Sequence, residues 1–536
     1  MASLTSRPKN RGYGAVAGVV SAGVGVGVAQ LVVGIFKPEA SPIAAVGQTF
    51  IDATPEWLNG FAIRAFGTRD KPALLTGMAV VIAVLAAAVG VVSVRRLRVG
   101  LAGVGGLALV GLACVFSRPG ARPLDVLPTI AGGLAAGVTL VKLHARLPQL
   151  PSSPAAAAGE AGEMAPSDGS DTGAAEAAQT QGLDRRGFLV ASALGAVAAF
   201  VAGGLGRLLT GRSAANLSRA EVRIPYPVSP LPSPPLGTDL HVPGLGPFIT
   251  STDAFFKVDT ALVTPSVTAE NWRLRIHGMV GNEMALGYKE LLARPLVERD
   301  ITIACVSNPV GGDYIGNARW VGVLLAPILR EAGVTPDATQ IVTRSVDGFT
   351  IGTPTAAVME GRDAMLAVAM NGEPLPLAHG FPVRMIVPGL FGYVSAMKWL
   401  MDMELTTFEA FNAYWVRQGW AQQAPVITES RIDTPRFGAT LHTGEVPVAG
   451  VAWAPQTGIA SVEIQVDDGP WQSTELAAQD GIDTWRMWIW RWNAPAGTHT
   501  LKVRATDQAG YTQTPIEASP FPNGATGLHT ITVKVA

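Results

Sequence analysis

Only two cysteines occur in 536 residues, Cys114 and Cys305. Cys114 lies in an apolar run, and Cys305 lies far from it in a segment of a different kind. That separation argues against a disulfide framework and against zinc or iron–sulfur sites built on several cysteines. A lone cysteine is either an inert core residue or a thiolate that reacts or binds metal. The residues around Cys305 favour access. Asp300-Ile-Thr-Ile-Ala-Cys305 reads as a strand that ends at the thiol, and 306–317 contains Pro309, Gly311, Gly312 and Gly316 and reads as loop. A side chain at such a strand end is one that a ligand can reach. Other polar candidates are Asn308, Arg319 and Asp347, then His379 with Arg384 five residues on, then Ser395 and Lys398. Taken singly, Arg384 and Lys398 read as surface charges and His379 as a structural histidine.

The elements that must position these residues form a mixed α+β segment over 244–407. Asn271-Trp-Arg-Leu-Arg-Ile-His-Gly278 alternates as a strand with Trp272, Leu274 and Ile276 on one face, and 288–296 reads as a short helix. Residues 408–536 read as all β. Ser461-Val-Glu-Ile-Gln-Val466, Leu501-Lys-Val-Arg-Ala505 and Thr530-Ile-Thr-Val-Lys-Val535 alternate, with turns at 467–470 and 507–510. Short strands between turn signals suggest an immunoglobulin-like sandwich. Trp485, Trp488, Trp490 and Trp492 fit core and interface better than an electron path.

The N-terminal region differs in kind. Charged residues make up only 15% of the chain, and mean hydropathy is +0.30, as expected of a chain partly in lipid. Segments 13–36, 73–94, 99–116, 126–143 and 188–209 are apolar on nearly every face and long enough to cross ~30 Å of hydrocarbon as helix. Their Gly, Ala and Val content suits close helix packing. Basic clusters at Arg7–Arg11, Arg95–Arg98, Lys142–Arg146 and Arg185–Arg186 fall on one side if the N-terminus is cytoplasmic. Arg118, Arg122, Lys37, Arg64, Arg69 and Lys71 fall in the opposite loops. Residues beyond about 210 are then extracytoplasmic.

The expected organisation is a four-span region at 1–147 and a flexible acidic linker at 148–183. A fifth span at 184–210 and a Pro-rich tether at 211–243 follow. Asp184-Arg185-Arg186-Gly187-Phe188-Leu189 ahead of the fifth span looks like an internal twin-arginine export signal, which suits a domain folded around a cofactor before export. No span carries two histidines and no CxxCH occurs, so haem in cis is disfavoured. The five spans read as an anchor or as a docking surface. A net charge of −1 gives a nucleic-acid partner no electrostatic support.

Three blocks in order carry a resemblance. Ile303-Ala-Cys305-Val-Ser-Asn308 with Gly316-Asn-Ala-Arg319-Trp320-Val-Gly-Val is the first. Met370-Asn-Gly-Glu-Pro-Leu375 with His379-Gly-Phe-Pro-Val-Arg384-Met-Ile-Val-Pro388-Gly389 is the second, and Lys398-Trp399-Leu400 is the third. Together they resemble the metal-ligand region of the sulfite-oxidase family of molybdopterin-dependent oxidoreductases, here as a membrane-anchored bacterial member. Phe255-Phe256-Lys257-Val258-Asp259-Thr260 adds a weaker fourth block, which puts Phe256 and Lys257 at the cofactor.

The resemblance implies molybdenum held by a pyranopterin dithiolene and by Cys305, a soft thiolate suited to such a metal. His379 and Arg384 would hold the pterin's terminal phosphate, with Ser395 and Lys398 nearby and Asn308 near the metal. Arg319 is a candidate substrate or cofactor contact, and Asp347 a candidate to face the same pocket. It also implies a sandwich domain that often forms a dimer interface, and a separate redox partner. The chain departs from the family where sulfite oxidases carry a Gly-Asn-Arg-Arg-like run after the cysteine, because here the run is Val306-Ser-Asn308-Pro-Val. Arginines there suit a small dianion, which sets this chain apart from sulfite oxidases; the family resemblance also takes in reductases of neutral sulfoxides, which need no arginine pair, so the expected substrate is sulfoxide or sulfite-like. The expectation is two-electron oxygen-atom transfer on a small sulfur compound. The alternative is a non-enzymatic anchored scaffold on the same fold, against which the retained His379, Arg384 and Lys398 argue.

Overall fold

The computed structural model describes residues 8–36, 40–54, 58, 70–118, 121–147, 172–211 and 214–536. The chain divides into two compact units, 1–213 and 214–536.

Five helices of the first unit are long and apolar enough to cross a membrane. They are Pro8–Phe36, Asp70–Ser93, Leu97–Phe116, Leu127–His144 and the apolar stretch of Thr172–Gly211. Each coincides with an expected span to within a few residues, because roughly 20 consecutive apolar positions have no other stable conformation in lipid. The first helix is the hub. Its glycines bring other backbones to van der Waals distance. A Cβ on Gly18 would collide with the carbonyl oxygen of Ala86 in the second span. One on Gly25 would lie 2.7 Å from the Gly132 carbonyl oxygen in the fourth, and one on Gly34 2.5 Å from that of Gly206 in the fifth. Small residues thus supply the packing that hydrophobicity cannot supply between helices in lipid.

Two elements depart from expectation. A short helix, Pro42–Ala53, follows the first span, with Ser41 Oγ as its N-cap acceptor. At 12 residues it is too short for a search based on membrane-spanning length. The fifth long helix begins at Thr172, so 172–183, expected as linker, is helical. Ala and Gln favour helix, and the sequence there has no proline. The rest of the expected linker, 148–171, lies outside the described residues.

The second unit begins its contacts at once, and the Pro-rich tether expected over 211–243 lies, from residue 214, against the domain that follows it. Helix Ala214–Glu221 is docked: Arg219 donates to the carbonyl oxygens of Pro374 and Leu375, and Ser218 Oγ accepts from Ala269 N. The Pro-rich stretch then runs along a sheet edge. Val228 N donates to Leu296 O, Glu298 N donates to Ser229 O, and Leu231 N donates to a Glu298 carboxylate oxygen. Proline holds a chain extended and lacks a donor, but the residues between prolines keep theirs and use them.

Two sheets build the domain that follows. Strand Leu296–Ala304 pairs antiparallel with Ile315–Leu324, which pairs with Met365–Met370, which in turn pairs with Arg384–Ile386. The other sheet is ordered Met284–Gly287, Arg273–Gly278, Leu400–Thr406, Gln340–Ser345 and Thr350–Pro354. Trp272, Trp320, Leu274 and Ile276 are fully buried in the shared core. Helix Tyr288–Leu292 is shorter than expected because Leu296 already begins a strand. Gly316 and Asn317, expected in the loop, are strand residues paired with Ile303 and Thr302.

Residues 429–535 form two packed sheets. One is ordered Glu429–Thr434, Gly444–Trp453, Arg486–Ala494 and Glu475–Leu476. The other contains Thr530–Val535, Gly497–Asp507 and Ile459–Val466. The first sheet is two-faced. Val448, Ala452, Trp488 and Trp492 face the sandwich core, whereas Val451, Trp453 and Met487 join the core of the preceding domain. Trp485 seals the junction, its Nε1 donating to Phe248 O at 2.9 Å. The two domains of this unit therefore share one apolar junction, which fixes the sandwich against the Cys305 domain.

Gly18→Leu should lower the thermal midpoint of the detergent-solubilised chain by several degrees, since the side chain must push the first and second spans away from each other. Gly105→Leu, which has open space around its Cβ position, should not. Thermal melts followed by the fluorescence of a thiol-independent dye would compare them.

Candidate active site

Cys305 follows strand Leu296–Ala304 directly, and its N–H donates to Tyr314 O at 2.9 Å, closing the base of the loop 306–314. Its Sγ lies 3.0 Å from Ser307 Oγ. The thiol is partly open to solvent, yet surrounding protein is dense enough that burial pushes its pKa up, opposed by the Ser307 contact and the Lys398 charge. Asn308 folds the loop back: its Oδ1 accepts from Tyr314 N at 2.8 Å. That bond fixes which amide atom is oxygen, and it leaves Asn308 Nδ2 buried with no partner among the described residues.

A second cluster lies on the return from strand Met365–Met370. His379 and Arg384 are both buried. Gly380, at φ +107°, makes the sharp turn between them; a Cβ there would press on Arg384 Cβ and on the Lys398 backbone at 3.1 Å. His379 Nε2 lies 3.1 Å from Thr252 O, so Nε2 carries the hydrogen. Burial, then the charges of Arg384 and Lys398, push its pKa down to about 3, so the ring is neutral at ordinary pH. Among the described residues Arg384 has one hydrogen-bond acceptor, His379 O at 3.3 Å, and it sits over the Trp320 ring at 5.0 Å. Its Nε is buried and unpartnered, and burial lowers its pKa to about 10. The guanidinium therefore stays charged without a carboxylate.

Phe255 joins these groups edge-on, 5.8 Å from both Trp320 and His379, and stacks on Phe256 at 5.2 Å. Lys257 next to it is exposed, and its charge is felt at His379. Lys398 Nζ pairs with Asp259 at 2.6 Å and lies 4.7 Å from the Trp399 ring centre. The Lys398 charge is felt at both Cys305 and His379, which links the two clusters.

Three expected residues are placed otherwise. Arg319 forms a two-pronged ion pair with Asp300, Nε–Oδ1 2.9 Å and Nη2–Oδ2 2.8 Å, and donates to Pro232 O at 3.0 Å. It is paired across the sheet with Asp300, five residues from Cys305 along the strand, or roughly 16 Å at strand rise. Its guanidinium is thus committed to Asp300 and to the Pro-rich strap. Asp347 accepts from Phe349 N at 3.2 Å within its own hairpin turn. Ser395 Oγ donates to the carbonyls of Leu390 and Phe391, so its hydrogen stabilises that turn and is not offered to a phosphate.

Two contributors were not singled out from sequence, Asp259 and Trp320. Strand parity would have found the second. Trp320 is fully buried and Arg319 is its neighbour on the opposite face. Asp259 carried only the signal of an acid inside the Phe255–Thr260 block.

The structure thus offers a thiol, an amide donor, a buried cation and a neutral imidazole with no matching anion among the described residues. An anionic ligand with a soft metal fits this donor set, because Arg384 and Asn308 Nδ2 otherwise remain unsatisfied.

Residues 261–415 match the family described as the oxidoreductase molybdopterin binding domain. Human mitochondrial sulfite oxidase is 29% identical over 325 residues, covering 52% of this chain and 59% of that protein. The chain thus spans under two thirds of the length of that relative. The "uncharacterized oxidoreductase YuiH" of Bacillus subtilis is 34% identical over 149 residues, covering 28% of this chain and 72% of that one. Among solved structures, the sulfane dehydrogenase SoxCD of Paracoccus pantotrophus aligns over 53% of this chain and 81% of its own, at 24% identity and a TM-score of 0.47.

Two outcomes are expected. Arg319→Ala leaves the Asp300 carboxylate, fully shielded from solvent, without its cation, and should cost about 3–5 kcal/mol in urea unfolding. It should also expose the strap to limited proteolysis. For His379, the unfolded ring takes a proton near the ordinary 6.5 while the folded ring resists until about 3. Its contribution to stability is therefore complete above the unfolded value and is lost as pH falls from there toward 3, with a slope of at most about 1.4 kcal/mol per pH unit. Urea midpoints of wild type and His379→Gln, compared between pH 7 and pH 4, should converge as the pH falls.

Proposed function

The chain belongs to the molybdopterin-binding oxidoreductases of sulfite-oxidase type, and from that premise we propose that it catalyses two-electron oxygen-atom transfer on a small, neutral sulfur compound of the sulfoxide class. The observation that carries the reading is Arg384. It is a buried, charged guanidinium with an open Nε and no carboxylate partner among the described residues; its charge is felt at His379, as is that of Lys398, which also reaches Cys305. Burying such a cation without a counter-charge costs several kcal/mol, and an anionic cofactor tail would offset that cost.

In this reading Cys305 supplies the thiolate ligand, and binding a metal reverses the effect of burial on its proton. Arg384 and Lys398 hold the phosphate of the pterin. His379 stays neutral with its Nε2–H committed to Thr252 O, so it packs beside the two cations without adding a third positive charge. Asn308 Nδ2 offers a hydrogen-bond donor beside the loop of Cys305. Phe255, Phe256 and Trp320 exclude water from one wall. When bound, the molybdenum cofactor supplies the two-electron redox chemistry. Residues 306–314 contain no cation and one acid, Asp313. With Arg319 committed to Asp300, that loop favours a neutral sulfoxide oxygen over the sulfite dianion.

The setting follows from the same reading. The basic clusters favour a cytoplasmic N-terminus and an extracytoplasmic unit 214–536. Arg185 and Arg186, exposed on the fifth long helix, would serve export of the folded domain. The 429–535 sandwich is proposed as immunoglobulin-like and as the homodimer contact, and electrons pass to or from a separate redox partner.

Full-length chain purified from a host that makes the cofactor should contain molybdenum and pterin equimolar with protein. Cys305→Ser should abolish turnover while preserving the circular dichroism spectrum, and Arg384→Met should lose bound pterin. With an artificial electron donor, sulfoxides should be reduced faster than sulfite is oxidised with an artificial acceptor. Metal-free wild type from such a host would sink the reading.

A further inference from the structure

The loop that carries Cys305 into the site is held at its tip by the other domain. Residue by residue, Cys305 N binds Tyr314 O, Tyr314 N binds Asn308 Oδ1, and the tip at Gly311–Gly312 projects to the sandwich. There Arg431 Nη1 donates to Gly312 O at 2.6 Å. The imidazole of His529 occupies the space where a Cβ of Gly311 would lie, at φ +74°.

Both sandwich residues are themselves fixed. Arg431 and Asp433 stand two apart on one strand, hence on one face, and pair Nε–Oδ1 at 2.6 Å. Ile432 between them faces the sandwich core. His529 Nδ1 accepts from Ile432 N at 3.0 Å, which orients the ring with its hydrogen on Nε2. Burial, then the Arg431 charge, push the pKa of the ring down, which favours the uncharged form beside the guanidinium.

We infer that Arg431 and His529 are positioning residues: through Gly311, Gly312 and Asn308 they set the loop that aims the Cys305 sulfur. The inference rests on the reading of Cys305 as the metal ligand. It brings the sandwich into the active-site scaffold, in addition to any role in dimerisation. A loop as short as 306–314, with several small or flexible positions, has many closed conformations of similar energy. The charge-assisted bond from Arg431 and the steric stop at His529 select one of them.

The test uses the full chain without cofactor, expressed in a host that cannot make it, in a Cys114→Ser background so that Cys305 is the sole thiol. Alkylation of Cys305 by iodoacetamide should be about tenfold faster in Arg431→Ala, the change expected when one charge-assisted hydrogen bond no longer closes the loop. Gly311→Ala, which drives the tip off His529, should act in the same direction. Arg431→Lys, which keeps a charged donor, should return close to the parent rate. In the loaded enzyme the visible absorption of the metal–thiolate should shift in Arg431→Ala and return in Arg431→Lys. If Arg431→Ala gives no cooperative melt, His529→Gln takes its place in the comparison.

Alkylation rates within about twofold of the parent in folded Arg431→Ala and Gly311→Ala would overturn the inference. So would a failure of lysine to restore the rate. A chain that carries no molybdenum from a cofactor-making host would overturn the reading of Cys305 instead, and the thiol comparison, made without cofactor, separates the two failures.

Discussion

A guanidinium buried without a carboxylate partner among the described residues is the constraint on which the site depends. Arg384 cannot shed its proton at neutral pH, even with its pKa lowered to about 10, so the surrounding protein must tolerate the charge. It does so by weak means. The Trp320 face offers a cation–π contact, one carbonyl accepts a long hydrogen bond, and Nε is left open. The neighbours are arranged so that no second unbalanced charge is added. His379 is neutral, and Lys398 is paired with Asp259. A protein of ordinary stability, about 5–15 kcal/mol, does not keep such a residue for packing alone.

The elements around that charge are held from two directions. From one side, the Pro-rich strap and helix Ala214–Glu221 bind the sheet edge, and the Arg319–Asp300 pair locks the strap across strands Leu296–Ala304 and Ile315–Leu324. From the other side the sandwich presents an apolar face that merges with the core beneath those same strands. Strand Leu296–Ala304 is thus fixed along its length, with Thr302 bonded to both Asp483 O and Trp485 N. Cys305 at its end inherits that rigidity, and rigid support of a reactive side chain is what a metal-ligand site requires.

The sequence disclosed what long averages or ordered motifs govern. The five apolar spans were legible because each is an unbroken run near 20 residues. Strand Thr530–Val535 was legible because it alternates without interruption. His379, Arg384 and Lys398 were legible only as an ordered set, since any of them alone has a commoner explanation. What stayed hidden depended on partners distant in the chain. The strap reads only as an extended Pro-rich tether, because proline-rich composition says nothing of the hydrogen bonds made by the residues between the prolines. Ser395 reads as a phosphate donor until the carbonyls of Leu390 and Phe391 are seen to take its hydrogen. Gly316 and Asn317 read as loop because glycine weakens a strand signal, yet a Cβ at Gly316 would strike the Phe255 ring. That glycine is there for a close approach.

Arg319 shows how a single fact about strand geometry bears on substrate charge. Its position beside Trp320, in a block that resembles a molybdenum-ligand region, made it a candidate for substrate. But adjacent residues of a strand face opposite ways, and Trp320 already faces the core. Arg319 must then face outward, where Asp300 and the strap carbonyls hold it. With that cation excluded, the charges around the site are Lys398, balanced by Asp259, Arg431, paired with Asp433 and bound to the Gly312 carbonyl, and Arg384, which is enclosed rather than displayed. Lys257 is exposed beside the site, and one solvated cation in high dielectric attracts a dianion only weakly. Desolvating a doubly charged oxyanion requires fixed donors aimed at it, and the loop 306–314 after Cys305 brings an acid instead. A neutral polar oxygen makes no such demand, since one or two hydrogen bonds satisfy it, and that difference in desolvation is what lies behind the proposed preference for a sulfoxide.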